Sequence, residues 1–283
     1  MTLPDRLTEF LASADAVMIA AGAGMGVDSG MPDFRGPQGF WKAYPAYEKL
    51  GFNFQEMANP RHFRENPELG WGFYGHRSNL YRDLAPHSGF NDLLIYARAR
   101  AKGFFVLTTN VDGHFQKAGF PSETMLEIHG SIHHHQCLEG CGYGIWKAPK
   151  TRIEIDESSM RARPPLPTCP GCGSLARPNI LMFGDGEWEE DRSAKQAIRF
   201  RQWREYLPPG DRLALIELGA GTALPTLRHQ MEHEARHQPD SSYLIRINPR
   251  ESAIPGDITR RFSLPCGARE ALAALLPGVR PSS

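Results

Sequence analysis

The sequence predicts an α/β fold, a parallel sheet with helices on both faces, plus a small module formed by two insertions. Short apolar runs at Ala16–Ala20, Phe104–Leu107, Leu213–Leu218 and Tyr243–Ile247 each lead into Gly, Thr or Asn, and helical spacing of apolar residues lies between them. Strands buried on both faces read as continuous apolar runs, and strands alternating with helices close into a parallel sheet. Two segments, Gly36–Asn79 and Ser131–Ala176, break this rhythm and read as the insertions.

The elements follow in order. Asp5–Ser13 has helical spacing and runs into the strand at Ala16, which ends in a glycine turn at Gly22. Gly36–Asn79 is rich in aromatics, Pro and Asn with short helical patches, and Ser131–Ala176 holds four of the five cysteines and the Pro-rich run Arg163–Pro167. The expected division is a discontinuous larger domain over 1–36, 80–130 and 177–283, with 37–79 and 131–176 forming the smaller module. The 283 residues suffice for a sizeable core.

Lys plus Arg and Asp plus Glu number 32 each, so the whole-chain field exerts no general pull on nucleic acid or an anionic membrane. Any charged partner is bound locally. The longest apolar stretches fall well short of the roughly 20 residues of a membrane span, and the amino terminus lacks a signal-peptide core, so a cytoplasmic protein is expected.

Gly22-Ala23-Gly24-Met25-Gly26 follows a buried strand directly. Glycines there permit a tight turn and let backbone amides approach a pyrophosphate, which makes the sheet Rossmann-like. The dehydrogenase fingerprint wants a further glycine and an acidic residue about 20 positions on; the chain runs instead into Met31-Pro32-Asp33-Phe34-Arg35-Gly36, which disfavours hydride transfer. A ligand-free glycine turn is the plain alternative. Cys137-x-x-x-Cys141 and Cys169-x-x-Cys172 are spaced to present four thiolates to a closed structural Zn2+ site. The 27 residues between the pairs (142–168) exceed the usual ~15–20. His133, His134 and His135 are rival ligands, read as polar strand or loop residues because four cysteines suffice.

The run GAGMGVDSGMPDFRG over Gly22–Gly36 resembles the sirtuin (Sir2) signature, and the resemblance continues in family order. Gly39-Phe40-Trp41, Thr109-Asn110-Val111-Asp112, Ile128-His129-Gly130, the cysteine pairs, Arg177-Pro178, Phe183-Gly184-Asp185, Gly221-Thr222-Ala223 and Ile247-Asn248 carry it. The resemblance implies an NAD-dependent protein lysine deacylase. Nicotinamide leaves NAD, the acyl oxygen attacks the ribose carbon, and O-acyl-ADP-ribose and free lysine result. It implies His129 as general base, with Asn110 and Asp112 holding the ribose and the nicotinamide end. It implies Gly22, Ala23, Gly24, Asp33, Phe34, Arg35, Thr109, Gly221, Thr222 and Asn248 as cofactor contacts. Cys266, in Pro265-Cys266-Gly267-Ala268 ahead of the last helix, is read as a contact beside the adenine end, with a buried small hydrophobe as its equal alternative. Leu181, Phe183 and Gly184 match the segment that pairs with an acyl-lysine peptide or protein. Tyr74-x-x-Arg77 matches a pair that in some sirtuins holds an acidic acyl group, succinyl or malonyl; ordinary helix-surface packing is its plain alternative.

Four positions depart from the family pattern. Thr109 stands where Gln is usual, Gly26 and Ala223 where Ser is usual, and Asp185 where Glu is usual. Two rival readings follow: mono-ADP-ribosyl transfer or NAD hydrolysis on the same fold, and an NAD-sensing module of low turnover. Retention of His129, Asn110 and Asp112 argues against the second, since a pure binder needs no ribose-directed base.

Overall fold

The computed structural model describes residues 3–32, 40–42, 44–49 and 51–276. In chain order its strands are β1 Ala16–Ala21, β2 Phe104–Thr108, β3 Met125–Glu127, β4 Gly130–Cys137, β5 Trp146–Lys147, β6 Ile155–Asp156, β7 Arg161–Ala162, β8 Ala176–Ile180, β9 Leu213–Leu218, β10 Ser242–Ile247 and β11 Arg261–Leu264. Six of them form one sheet in the order β11-β10-β9-β1-β2-β3, and every pairing in it is parallel. The parallel α/β expectation is met.

The continuous apolar runs have the reason assigned to them, because all six residues of β1, β9 and β10 are buried. Side chains alternate between faces with period two. Val17, Ile19, Ile216 and Ile245 enter one core with Leu7 and Phe10 of the helix Asp5–Ala12, Leu93 of the helix Ser88–Arg98 and Leu272 of the helix Ala268–Leu275. Met18, Leu215 and Leu244 enter a second core with Met231 of the helix Thr226–His237. At about 1.5–3 kcal/mol per buried large aliphatic side chain, two such faces explain a six-stranded sheet without disulfides.

One buried pair interrupts the apolar rule. Arg246 on β10 stands opposite Glu217 on β9, and its Nε and Nη2 bond the carboxylate at 2.6 and 2.8 Å. Nη2 also reaches Glu232 at 2.9 Å.

The inserted segments gather around a third core containing Phe40, Tyr44, Phe63, Trp71, Phe73, Tyr74, Ile132 and Met182. Its long helix, Pro67–Asp83, starts where sequence rules place a start: Asn66 accepts from the Leu69 amide and Pro67 occupies the first turn. β4 pairs antiparallel with β5 and β8 in a separate three-stranded sheet. The positions 79/80, 130/131 and 176/177, read as domain boundaries, fall inside the helix Pro67–Asp83, inside β4 and inside β8. Among the described residues no helix is long and apolar enough to cross a membrane.

Candidate active site

The parallel register aligns the carboxyl ends of the strands. Ala21 pairs with Thr108 and with Leu218, Thr108 with Glu127, Leu218 with Ile247, and Ile247 with Leu264. The residues that follow this row are Gly22, Thr109, His129, Gly221, Asn248 and Cys266, so positions scattered over the chain emerge along one edge. β1 has β2 on one side and β9 on the other; connections leave in opposite directions there, which opens the crevice where α/β sheets take ligands.

At that crevice the turn after β1 lies against the turn after β9. The Gly22 amide donates to Leu218 O at 2.9 Å and the Gly24 amide to Gly219 O at 3.1 Å. A Cβ on Gly219, whose φ is +61°, would lie 2.4 Å from Gly24 Cα, and one on Gly22 would lie 2.8 Å from Ala220 Cα. These glycines therefore have a packing role beside any role toward a phosphate. Ala23 and Gly24 open the short helix at Gly24–Val27. A Cβ on Gly26 would meet Met31 Sδ at 2.6 Å, a flexible side-chain end that can move aside.

The loop after β2 is tied down by its own polar groups. The Thr108 hydroxyl donates to Ala21 O at 2.8 Å and accepts from the Asn110 amide at 3.0 Å, while Asn110 Nδ2 donates to Gly22 O at 3.0 Å. Asp112 is buried; its carboxylate accepts from the His114 amide at 2.8 Å, and its carbonyl meets His133 Nε2 at 2.8 Å. Desolvation raises the Asp112 pKa to about 6. His129 follows β3, and burial lowers its pKa from 6.5 while the Thr109 backbone opposes that shift. Its imidazole is thus neutral at neutral pH and able to accept a proton.

The β9 and β10 ends hold each other. Asn248 is fully buried, its Nδ2 donates to Ala220 O at 2.9 Å, and its Oδ1 accepts the Arg250 and Glu251 amides at 3.0 Å each. Thr222 gives both its amide and its hydroxyl to the Glu251 carboxylate. Cys266 is half-buried against the first core, and burial raises its thiol pKa. Asp33, Phe34 and Arg35 lie outside the described residues.

The segment after β8 borders the same edge. Leu181 is 38% exposed and its amide donates to His129 O at 3.0 Å; the Phe183 amide donates to Ala58 O at 2.9 Å; Gly184 has a φ of +69°. Beneath it the Arg177 guanidinium and the Asp185 carboxylate form a buried ion pair, and Asp185 also accepts the Met182 amide at 3.2 Å. Tyr74 and Arg77 lie on the helix Pro67–Asp83, both buried. The Arg77 guanidinium sits 5.1 to 5.7 Å from the ring centres of Phe54, Phe73, Tyr74 and Tyr81 and donates to the Tyr81 hydroxyl. Burial pushes the Tyr74 hydroxyl up to about 12, so it stays protonated.

The four paired cysteines converge. Their sulfur atoms lie within 4.8 Å of one another, with Cys137 to Cys172 and Cys141 to Cys169 at 3.6 Å. Tetrahedral zinc at ~2.3 Å from each sulfur requires S···S separations of about 3.8 Å, so the set fits the ion. The histidine run stays outside it: His133 meets Asp112, and His135 packs edge-on to Trp71.

The sequence model of the Sir2 family matches residues 22–200. The chain belongs to the Sir2 family. An NAD-dependent protein deacylase of Leptospira interrogans (serogroup Icterohaemorrhagiae, serovar Lai) is 29% identical over 238 residues, 84% of this chain and 83% of the relative. One from Thermus thermophilus is 29% identical over 277 residues, covering 94% and 91%. A solved Sir2 homolog–NAD complex shares the fold, with a TM-score of 0.71 at 24% identity over 98% of this chain and 94% of that one.

Against this Sir2 framework the sequence reading missed Glu251 and the support role of His133. Glu251 carries no motif; its only signal is the nearby Asn248, whose side chain turns the chain back toward Thr222.

Proposed function

We propose that this Sir2 chain is an NAD-dependent protein lysine deacylase, with NAD as co-substrate, an acyl-lysine peptide or protein as second substrate and Zn2+ as a structural ion on Cys137, Cys141, Cys169 and Cys172. The observation that carries it is the single row of strand ends that brings Gly22, Asn110, Asp112, His129 and Asn248 to one crevice, in a chain whose relatives bear that activity in their names. The chemistry separates nicotinamide from ribose and joins the acyl oxygen to the ribose carbon. His129, neutral by burial, accepts the ribose hydroxyl proton. Asn110 and Asp112, on a loop pinned by Thr108, orient the sugar. The exposed Leu181 edge, anchored to His129 O, pairs with an extended peptide in the β-augmentation mode. We also propose a cytoplasmic location, supported by four thiols whose sulfur atoms converge in a metal-sized cluster, an arrangement that suits a reducing compartment.

For the acyl group, a guanidinium buried in an aromatic box beside a protonated tyrosine favours an acidic acyl chain, whose carboxylate would be met by a desolvated cation. The test is product analysis by mass spectrometry with NAD and matched acetyl-lysine and succinyl-lysine peptides, beside His129→Ala. O-acyl-ADP-ribose formed by the wild type and lost in the variant is the expected result. Nicotinamide release with neither peptide deacylated would replace this reading with ADP-ribosyl transfer or NAD hydrolysis.

A further inference from the structure

The opposite edge of the sheet carries a feature unrelated to deacylation. An open cleft of about 420 Å³ lies where β9, β10 and β11 begin, walled by the helix Asp5–Ala12. It is about 17 Å from the catalytic edge, five residues along β10 at ~3.3 Å each. Its lining includes Arg6, Arg212 and Arg260 against one carboxylate, Glu9. In a chain of zero formal net charge this is a local cationic patch.

We propose that this cleft binds a small ligand through a phosphoryl group. None of the three guanidinium groups has a hydrogen-bond or ion-pair partner among the described residues, so cations that could have been neutralised by surface acids are left open. Arg212 is held rather than loose: its guanidinium stacks 4.7 Å from the Phe10 ring, which in turn packs 5.4 Å from Tyr243. Tyr243 floors the cleft at 3% exposure. Three guanidinium forks with the Thr259 hydroxyl offer more donors than the two oxygens of a carboxylate accept; three terminal phosphoryl oxygens match them better. Glu9 at the rim repels a bare polyanion and accepts from a hydroxyl or amine on the rest of the ligand.

The assignment uses no part of the deacylase reading and is tested separately. Inorganic phosphate and glycerol phosphate are titrated at constant ionic strength by calorimetry and 31P line broadening, with acetate as a control and ADP-ribose present to occupy the opposite edge. Saturable millimolar or tighter binding is expected. It should weaken about tenfold in Arg260→Gln, the loss of one charge-assisted hydrogen bond, and disappear in the Arg212→Gln/Arg260→Gln variant. Unchanged urea unfolding of Arg260→Gln shows that the fold is kept. Tighter binding of glycerol phosphate than of phosphate identifies a phosphomonoester as the ligand class, and the reverse identifies free phosphate. Absence of saturation, displacement of phosphate by ADP-ribose, equal binding of acetate, or equal affinity in the variants would each overturn the proposal.

Discussion

Arg177 and Asp185 form a buried ion pair beneath the turn that carries Leu181 to Gly184, with side-chain exposures of 1% and 0%. Arg177 Nη2 also donates to Ile180 O at 2.9 Å, so one guanidinium ties the end of β8 to the far side of the turn. Removing one member leaves the other buried and unpaired, which costs about 3–5 kcal/mol. Asp185→Ala is expected to lose that much in urea unfolding and to raise the peptide KM, since the Met182 amide loses its acceptor too. Asp185→Glu, which restores the commoner family residue, adds a methylene to a filled site and is expected to cost about 1–3 kcal/mol.

The pH dependence follows from Asp112. Its folded pKa of about 6 exceeds the ordinary 3.8, so the folded state holds the proton more tightly. Its stabilising contribution is present in full below pH 3.8 and is lost as pH rises through about 6. At 1.36 kcal/mol per pKa unit this amounts to about 3 kcal/mol. Urea unfolding of the wild type and of Asp112→Asn at acid and neutral pH should show the wild type losing that much relative to the variant as pH rises.

Activity has its own pH signature. Burial lowers the His129 pKa of the free enzyme, so the acid limb of kcat/KM should lie below pH 6.5. A limb above that value would show that another group supplies the base.

Gly219→Ala forces a side chain into φ +61° and onto Gly24 Cα. Both the strain, about 1 kcal/mol or more, and the clash with backbone act at the crevice. The variant should unfold at lower urea and bind NAD more weakly in calorimetry, even though residue 219 offers no side chain to a ligand.

The thiol set should hold one zinc per chain, read by metal analysis. Cys169→Ser removes a buried ligand and should release the metal and lower the thermal midpoint, because a structural site adds its binding free energy to folding. An unchanged metal content would overturn the assignment.

Arg77→Met keeps the stem and removes the cation. If the buried guanidinium meets an acyl carboxylate, kcat/KM for a succinyl peptide should fall about 10- to 100-fold, the range of a charge-assisted hydrogen bond, with acetyl turnover changed far less. Equal loss on both peptides would assign Arg77 to helix packing.

By itself the sequence determined the parallel α/β class, four of the six strands of its sheet (β1, β2, β9 and β10, but not the short β3 and β11) and the cysteine quartet. These are local properties: a strand buried on both faces must be apolar throughout, and a metal knuckle must space its thiols. It also marked the blocks around Asn110, His129 and Asn248. Only the tertiary structure decided that these blocks share one edge, because that depends on the strand order β11-β10-β9-β1-β2-β3 and on the alignment of Ala21, Thr108, Leu218 and Ile247. It likewise decided that Arg246 and Glu217 are buried opposite each other, that Arg177 reaches Asp185, and that Thr222 engages Glu251. A charge in a sequence does not announce its partner. Pairing is set by which surfaces are brought out of water together, and that is decided only when the layers close.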